Sequence, residues 1–254
     1  MHAEPARHAR DTIPPRIEPV MSMTRRSIAA DDLRNEPAYT LTEAARYLKL
    51  PPATLRSWVA GRAYPRGKGT GRFERLIAPA SSPPPLLSFW NLIEAHVLRS
   101  LRTQHGVPIH DLRKALAFAE RKLGIERLLL RKELRTNAGR VFLDRYGELI
   151  ELSASGQLAM RHLLEEHLKR VDWDEWQFPV RLHPFLAVEA SAADRPISID
   201  PKVAFGRPVL TKAGVSTAAI ADRIDANEDP AEVAADYDLT VEDIEQAVLF
   251  ERAA

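Results

Sequence analysis

YTLTEAARYLKLPPATLRSWVAG, residues 39–61, predicts two short helices joined by a tight turn. Thr40 followed by Glu43 is a capping-box pattern, in which each side chain accepts a hydrogen bond from the other residue's backbone N–H. The proline pair at 51–52 ends the first helix and opens the second, because proline lacks an N–H and presets φ. Gly61 ends the second helix, since glycine adopts a positive φ freely. Two helices in this arrangement predict a helix-turn-helix, whose second helix enters the DNA major groove.

A glycine-rich basic segment, GRAYPRGKGTGRFERLI, follows at residues 61–77 and predicts a short β-hairpin, which would be the wing of a winged helix-turn-helix. Between Tyr39 and Leu76 only Glu43 and Glu74 are acidic, although the whole chain has a formal net charge of +1. Such local positive charge is typical of phosphate contacts. The alternative is a solvated charged face on a small packing hairpin. The basic residues of this part are Arg46, Lys49, Arg56, Arg62, Arg66, Lys68, Arg72 and Arg75.

The candidate DNA-binding residues lie on the second helix and on the wing. They are Thr54, Arg56 and Ser57 on the helix and Arg62, Arg66, Lys68 and Arg72 on the wing.

The composition favours a globular protein with a sizeable core, since 45% of the 254 residues are hydrophobic. The chain has no cysteine, which excludes disulfide frameworks, zinc ribbons and thiol nucleophiles. Residues 1–37 combine several prolines with mixed charges and show no apolar period. They predict a disordered tail, with neither a signal peptide nor a membrane span.

A mainly helical middle is predicted after three consecutive prolines at 83–85. Ser88 is placed to cap a helix through about Gln104, with apolar residues along one face. The GVP sequence at 106–108 separates it from a second helix, which Gly124 ends.

The stretch LRTNAGRVFLDRYGELIEL, residues 134–152, predicts a β-hairpin or a small meander. Asn137-Ala138-Gly139 and Tyr146-Gly147 are turn signals between residues that favour strands. A further helix is expected from Gly156. Trp90 is expected to be half exposed, where it would mark a dimer or partner contact.

The C-terminal part predicts an extended pair followed by three helices. ISIDPKVAFGRPVL at 197–210 supplies the pair, and Ser216 or Thr217, Asp229 and Thr240 are placed as helix N-caps. From residue 215 to residue 254 the chain has eleven acids against two arginines, which disfavours a nucleic-acid surface. The residues expected to close the three-helix core are Val233, Tyr237, Leu239, Ile244, Val248 and Leu249.

The N-terminal motifs EAARYL at 43–48 and TLRSW at 54–58, with the basic wing, resemble the winged helix-turn-helix of MerR-type regulators. Thr54 and Arg56 match the TLR motif of that family, in which the arginine contacts backbone phosphate. The helix pair joined by GVP also resembles the MerR-type arrangement. The long coiled coil of MerR dimers is not found in this chain.

The C-terminal motifs resemble a small homeodomain-like domain that is common in bacterial antitoxins. They are IDP at 199–201, GRPVL at 206–210, YDLT at 237–240 and FE at 250–251. One departure is Lys212-Ala213-Gly214-Val215, which stands where the family continues with G-T-R-I or G-T-R-V, so the role of that arginine is not carried over.

The whole order of segments, from Tyr39 to Glu251, resembles the long VapB-type antitoxins. The most specific piece is LSFWNLIEAHVLRSLR at 87–102. The partners of those antitoxins are PIN-domain ribonuclease toxins.

The fold class is therefore predicted as mainly α (α+β). The predicted domains are a disordered tail at 1–37, a winged helix-turn-helix head at 38–80, a helical middle with a β-hairpin for dimerisation or packing at 86–186, and a C-terminal three-helix homeodomain-like domain of antitoxin type at 196–254.

The sequence contains no complete catalytic or metal-binding motif. His162 and His167 are five residues apart, whereas a metalloprotease helix needs two histidines at i and i+4. The segment 206–214 lacks the Lys-Ser ending of a phosphate loop, and no nucleophile stands beside a base. The sequence predicts no enzyme, no cofactor and no metal site.

The resemblance implies an antitoxin of a type II toxin–antitoxin pair. It would neutralise a PIN-domain ribonuclease toxin by direct binding and repress its own operon by binding operator DNA as a cytoplasmic homodimer. One alternative is a stand-alone MerR-like transcriptional regulator with an effector- or partner-binding middle, and another is an adaptor that binds only proteins. The candidate toxin-binding residues are Phe205, Pro208, Val209, Leu210, Asp236 and Tyr237.

Overall fold

Helices dominate the part of the chain that the structure, a computed structural model, describes: residues 32–66, 69–102, 109–131, 134, 137–149, 154–185 and 195–253. The helices are α1 Leu41–Tyr47, α2 Pro52–Ala60, α3 Phe89–Arg102, α4 Ile109–Leu123, α5 Asn137–Leu149, α6 Ala154–Leu168, α7 Thr217–Asp225, α8 Pro230–Asp236 and α9 Val241–Arg252. The strands are β1 Tyr39–Thr40, β2 Arg62–Arg66, β3 Gly69–Phe73, β4 Leu86–Leu87, β5 Val171–Trp173, β6 Pro179–Leu182, β7 Ile197–Ser198 and β8 Val209–Leu210.

The strands form four antiparallel pairs, β1 with β4, β2 with β3, β5 with β6 and β7 with β8. The predicted class, mainly α with small β elements, is confirmed. Among the described helices, none is long and apolar enough to cross a membrane.

The head, which we define as β1 to β3 with α1 and α2, is a winged helix-turn-helix. Its capping box is present, because the Thr40 N–H donates to the Glu43 carboxylate at 2.9 Å and the Glu43 N–H donates to the Thr40 hydroxyl at 3.2 Å. Gly61 ends α2 with φ at +72°. Strands β2 and β3 pair in register from Arg62 opposite Phe73 to Arg66 opposite Gly69, which confirms the predicted wing.

Helix α3 is the central element of the core, and every residue from Phe89 to Leu98 is buried. The sequence predicted a helix with one apolar face. It is instead enclosed, because α6, β6 and the 3₁₀ turns Leu33–Asn35 and Leu128–Leu130 all pack against it. A helix covered from several directions can bury its polar residues only where they find partners, as the Asn91 amide does at the Ala78 carbonyl.

Trp90 is 1% exposed, so the interpretation of a half-exposed interface residue is wrong. Its ring stacks on Phe178 at 5.6 Å, and the Arg34 guanidinium lies 5.1 Å from its centre. Arg34 also pairs with Asp174 at 2.6 Å. The last residues of the predicted disordered tail are therefore ordered, since Asp32 caps the turn Leu33–Asn35 that carries Arg34. Residues 1–31 lie outside the described part of the chain.

The predicted hairpin at 134–152 is wrong, because Asn137–Leu149 is the helix α5. Gly147 is not a turn residue but a point of close approach: a Cβ there would lie 2.8 Å from the Gln157 side chain on α6. Phe142 and Leu143 of α5 are buried, and α4 packs against this helix. Packing between helices thus outweighs the local turn signals. The antiparallel pair of the middle lies later in the chain, in β5 and β6.

The C-terminal module, which we define as Ile197–Arg252, contains the predicted extended pair and three helices. Ser216, Asp229 and Thr240 accept hydrogen bonds from the first turns of α7, α8 and α9, as predicted. Its core is formed by Ile220, Val233, Ile244, Ala247 and Phe250, none more than 1% exposed. The predicted core positions Tyr237, Leu239, Val248 and Leu249 are not in this core, and Tyr237 and Leu239 are half-buried just after α8. Val248 is half-buried, and Leu249 is 58% exposed.

Candidate nucleic-acid and partner interfaces

One face of α2 is open to solvent. Ala53, Arg56 and Ala60 are exposed and Ser57 is half-buried, at the spacing of a single helix face. The opposite face, with Leu55, Trp58 and Val59, is in the core of the head. Trp58 is fully buried. The small alanines on either side of Arg56 leave room for a close approach of this face to another surface.

Two of the predicted recognition-helix residues differ from this pattern. Thr54 is 8% exposed and faces the core, so it is not available as a base contact. The reason is helical phase, since Thr54 precedes the buried Leu55 and lies one turn before Trp58. The Ser57 hydroxyl donates to the Thr54 carbonyl at 2.7 Å, which leaves its oxygen free only as an acceptor. Arg56 is the charged residue at the centre of the open face.

The wing strands carry Arg62 and Arg66 on β2 and Arg72 on β3. Lys68 lies outside the described residues. After β3 the chain places Arg75 at the surface. The backbone beside it is tied to α2, because the N–H groups of Leu76 and Ile77 donate to the Trp58 carbonyl at 2.7 and 3.1 Å. The wing and the open face of α2 are therefore held together by backbone hydrogen bonds.

The C-terminal module docks on β1 and α1 of the head. The buried Tyr39 hydroxyl donates to the Gly206 carbonyl at 3.0 Å. Arg207 donates to the Glu43 carboxylate at 2.6 Å and to the Tyr47 hydroxyl at 3.3 Å. Burial raises the pKa of Tyr39, so its hydroxyl keeps its proton and donates.

Glu43 connects the capping box to this docking contact. Partial burial acts to raise the pKa of its carboxyl, but hydrogen bonds from Thr40 and the charge of Arg207 outweigh it and lower the pKa. The capping carboxylate therefore stays ionised and serves both the first turn of α1 and the C-terminal module.

Two cations of the head bind the last turn of α9. Arg46 pairs with Glu251 at 3.2 Å. The Lys49 ammonium donates to the Phe250 carbonyl and lies 4.2 Å from the centre of the Phe250 ring. Burial lowers the pKa of Lys49 to about 8. Arg46 and Lys49 thus belong to the docking contact, whereas Arg56 and Arg75 are exposed and lie outside it.

Sequence reasoning missed this contact because its partners lie some 160 to 200 residues apart in the chain. The only available signal was charge, since an acidic C-terminal segment and a basic head in one chain attract each other. Charge alone does not select Arg46 and Lys49 from the eight candidates.

The predicted toxin-binding residues divide into surface and core. Phe205 is 94% exposed, on a turn where it has φ at +53°. Pro208 is buried, and Val209 and Leu210 are 2% and 1% exposed because they form β8 beneath β7. These three cannot contact a partner in this conformation. Asp236 is exposed and pairs with Arg223 at 2.6 Å, and the Arg223 guanidinium lies 5.4 Å from the Tyr237 ring.

A groove of about 320 Å³ lies where α7, α8 and α9 meet. We call it the α9 groove, and the sequence interpretation assigned its apolar α9 residues to the core. It is lined by Ile224, Pro230, Ile244, Glu245, Val248 and Leu249.

Metal-binding clusters of three or more histidine, cysteine, aspartate or glutamate residues are absent from the described part of the chain. His167 is not on a metal-binding face there. It is buried, its Nδ1 contacts the Leu163 carbonyl at 3.0 Å, and its ring packs on Phe185 and His96.

Two families match separate parts of the chain. The fold and the open α2 face define a winged helix-turn-helix protein, and residues 37–116 match the family described as "Putative DNA-binding HTH domain". Residues 197–250, which cover nearly all of the C-terminal module, match the family described as "Protein of unknown function (DUF433)".

The curated relative "Putative antitoxin VapB45" of Mycobacterium tuberculosis (strain ATCC 25618 / H37Rv) is 29% identical over 232 residues. The match covers 84% of this chain and 92% of that protein. With the two families, it confirms the resemblance to the long VapB-type antitoxins. The X-ray crystal structure of Rv2018 from Mycobacterium tuberculosis has a similar fold, with a TM-score of 0.61 at 24% identity, over 84% of this chain and 97% of that chain.

Proposed function

We propose that this chain is the antitoxin of a type II toxin–antitoxin pair. It neutralises a PIN-domain ribonuclease toxin by direct binding, and it represses its own operon by binding operator DNA as a cytoplasmic homodimer. The name of the curated relative and the helix-turn-helix family match support the two halves of this proposal. The proposal requires no enzymatic chemistry, cofactor or metal from this chain.

The observation that carries the proposal is the position of the C-terminal module on α1. The docking contacts described above use Tyr39, Glu43, Arg46 and Lys49, while Arg56 on α2 stays exposed. The DNA-binding face and the C-terminal module are therefore accessible in the same conformation. One molecule can hold DNA with the head and a protein with the C-terminal module.

The DNA half of the proposal depends on charge and on shape. Arg56 and Arg75 are exposed, and three more arginines lie on the wing strands. Cations neutralise phosphates and release counterions, which gives salt-dependent affinity. A homodimer would place two α2 helices in successive major grooves of a two-fold operator.

The toxin half depends on the charge of the C-terminal module. Eleven acids against two arginines from residue 215 to residue 254 give this part a strongly negative field. A ribonuclease binds RNA through a cationic surface, which an acidic module can attract and cover.

Co-expression tests the toxin half. This chain, carrying the only tag, is produced with the product of the gene beside it, and the eluate is tested for a second protein and for ribonuclease activity. We expect a stoichiometric complex without ribonuclease activity, and loss of the partner when residues 196–254 are deleted. A partnerless dimer that still retards its upstream DNA would instead favour the stand-alone MerR-like regulator.

The DNA half is tested separately with the tagged full chain and its upstream DNA. We expect retardation of that fragment and none of an unrelated fragment of equal length. A chain that binds both fragments equally at physiological salt would contradict operator recognition.

A further inference from the structure

We infer that the α9 groove is the docking site for the toxin, and that it takes an apolar side chain flanked by lysine or arginine on the ribonuclease. This inference rests on the proposed function and names the surface that performs its toxin-binding half.

The first observation is an apolar concavity with an exposed apolar wall. Ile224, Pro230, Ile244, Val248 and Leu249 line the α9 groove, and Glu245 is the charged residue among them. Leu249 is 58% exposed, although other apolar residues of α9, such as Ala247 and Phe250, are buried in the core of the module. Exposed apolar residues around a concave surface are typical of a binding site for another molecule.

The second observation is that the α9 groove is free while the C-terminal module docks on the head. Helix α9 contacts the head through the Phe250 carbonyl and the Glu251 carboxylate. Leu249 and Glu245 are four residues apart and lie on one face, which is turned away from the buried Phe250. Docking on α1 and binding in the groove therefore use different faces of the same helix.

The third observation is the charge around the groove. The two arginines of residues 215–254 are engaged within the C-terminal module, because Arg223 pairs with Asp236 and Arg252 pairs with Asp225, both at 2.6 Å. Most of the eleven acids of this part are not neutralised by the two arginines, and one of them, Glu245, lies in the groove wall. The field at the groove is negative, so an apolar residue with cationic neighbours fits it best.

Phe205 is also an exposed apolar residue of the C-terminal module, and its nearest charged neighbours in the chain are cations. It lies between the exposed Lys202 and Arg207, and Arg207 is bound to the head. A cationic surface of a ribonuclease would be repelled there. The charge therefore favours the α9 groove over Phe205.

The test is the affinity of the full chain for the purified product of the neighbouring gene, which the proposed function expects to be a PIN-domain protein. Leu249→Glu adds charge to the groove wall without removing a core side chain, and Leu158→Glu is the matched control because Leu158 is 67% exposed on α6. We expect Leu249→Glu to weaken binding at least tenfold and Leu158→Glu to change it less than twofold. Glu245→Lys should also weaken binding, by reversing charge in the groove wall. Circular dichroism checks that each variant is folded.

The outcomes separate this inference from the proposed function. If the wild-type chain binds and the Leu249→Glu and Glu245→Lys variants bind equally tightly, the α9 groove is not the docking site, and the antitoxin role still stands. If Phe205→Ala abolishes binding while the Leu249→Glu variant still binds tightly, the α9 groove is likewise not the docking site. A wild-type chain that does not bind the PIN-domain protein would overturn both.

Discussion

Arg56 lies at the centre of the open α2 face, between two exposed alanines. We predict that Arg56→Ala weakens binding to upstream DNA and lowers the magnitude of the salt slope by about 1, because one phosphate contact is lost. Arg121→Ala, which removes an exposed arginine from α4, is the control and should leave affinity and slope unchanged. Equal binding by wild-type and Arg56→Ala at every salt concentration would show that α2 does not face DNA. Fluorescence anisotropy over a salt series measures both quantities.

His167 and His96 form a buried neutral pair against Phe185. Their ring centres lie 5.0 Å apart, and His96 Nε2 contacts the His167 carbonyl at 2.9 Å. Burial lowers the pKa of His167 to about 4 and lowers that of His96 as well. The nearby charges of Arg99 and Arg170 act in the same direction on both.

We predict that acid destabilises the protein through this pair. Between about pH 6.5 and pH 4 the unfolded chain binds protons that the folded chain excludes, so the free energy of unfolding falls as the pH drops through this window. The pKa difference for His167 corresponds to about 3 kcal/mol in full. His167→Leu should lose less stability than wild-type between pH 7 and pH 5 in urea titrations. His162→Leu, which removes an exposed histidine from the same helix, should keep the wild-type loss, and equal losses in all three would contradict the prediction.

Single residues also show what the sequence can predict. The capping box of Thr40 and Glu43 was predicted correctly, because its partners lie within one turn. The burial of Thr54 could have been predicted from helical phase, since it precedes Leu55 and lies one turn before Trp58. The burial of Pro208, Val209 and Leu210 could not, because it depends on which strand pairs with theirs.

At the scale of elements, the contact between the C-terminal module and β1 depends on Gly206. It has φ at +75°, and an added Cβ would overlap the Tyr39 hydroxyl that donates to its carbonyl. Gly124 is a matched position, since it has φ at +66° and no atom within 4 Å of an added Cβ.

We predict that Gly206→Ala destabilises the protein by at least about 1 kcal/mol more than Gly124→Ala does. Both substitutions carry the backbone cost of a side chain at positive φ, and only Gly206→Ala also meets Tyr39. In a Tyr39→Phe background, which removes the hydroxyl, the extra cost should shrink. Urea unfolding measures all four variants. Equal losses in the free energy of unfolding for Gly206→Ala and Gly124→Ala would mean that the C-terminal module does not pack against Tyr39.

Elements whose signals are local were predicted well, and α5 was not. The N-caps of α7, α8 and α9 each depend on one side chain and the next backbone N–H groups. In α5 the same kind of local signal was misleading, because Gly147 serves close packing against Gln157 rather than a turn. Close packing between helices leaves no pattern in a single stretch of sequence.

At the scale of the whole molecule, residues 31–254 form one compact unit. Its basic residues are concentrated in the head and its acidic residues in the C-terminal module. The acidic C-terminal module binds Arg46 on α1 and Lys49 just after that helix, and Arg56 remains outside that contact. The sequence predicted the charge split and the class of fold. It could not predict the docking, because the contact joins residues far apart in the chain and uses two cations that had been counted only in the positive charge of the head.

The central claim is that the head binds DNA while the C-terminal module holds a toxin. The most direct test mixes the full chain with its upstream DNA and the product of the neighbouring gene, which the proposed function expects to be a PIN-domain protein. That protein is kept limiting, and the complexes are weighed by native mass spectrometry. We predict a complex that contains all three components and a dimer of this chain. If the PIN-domain protein and the DNA were found only in separate complexes with this chain, the simultaneous use of its two surfaces would be contradicted.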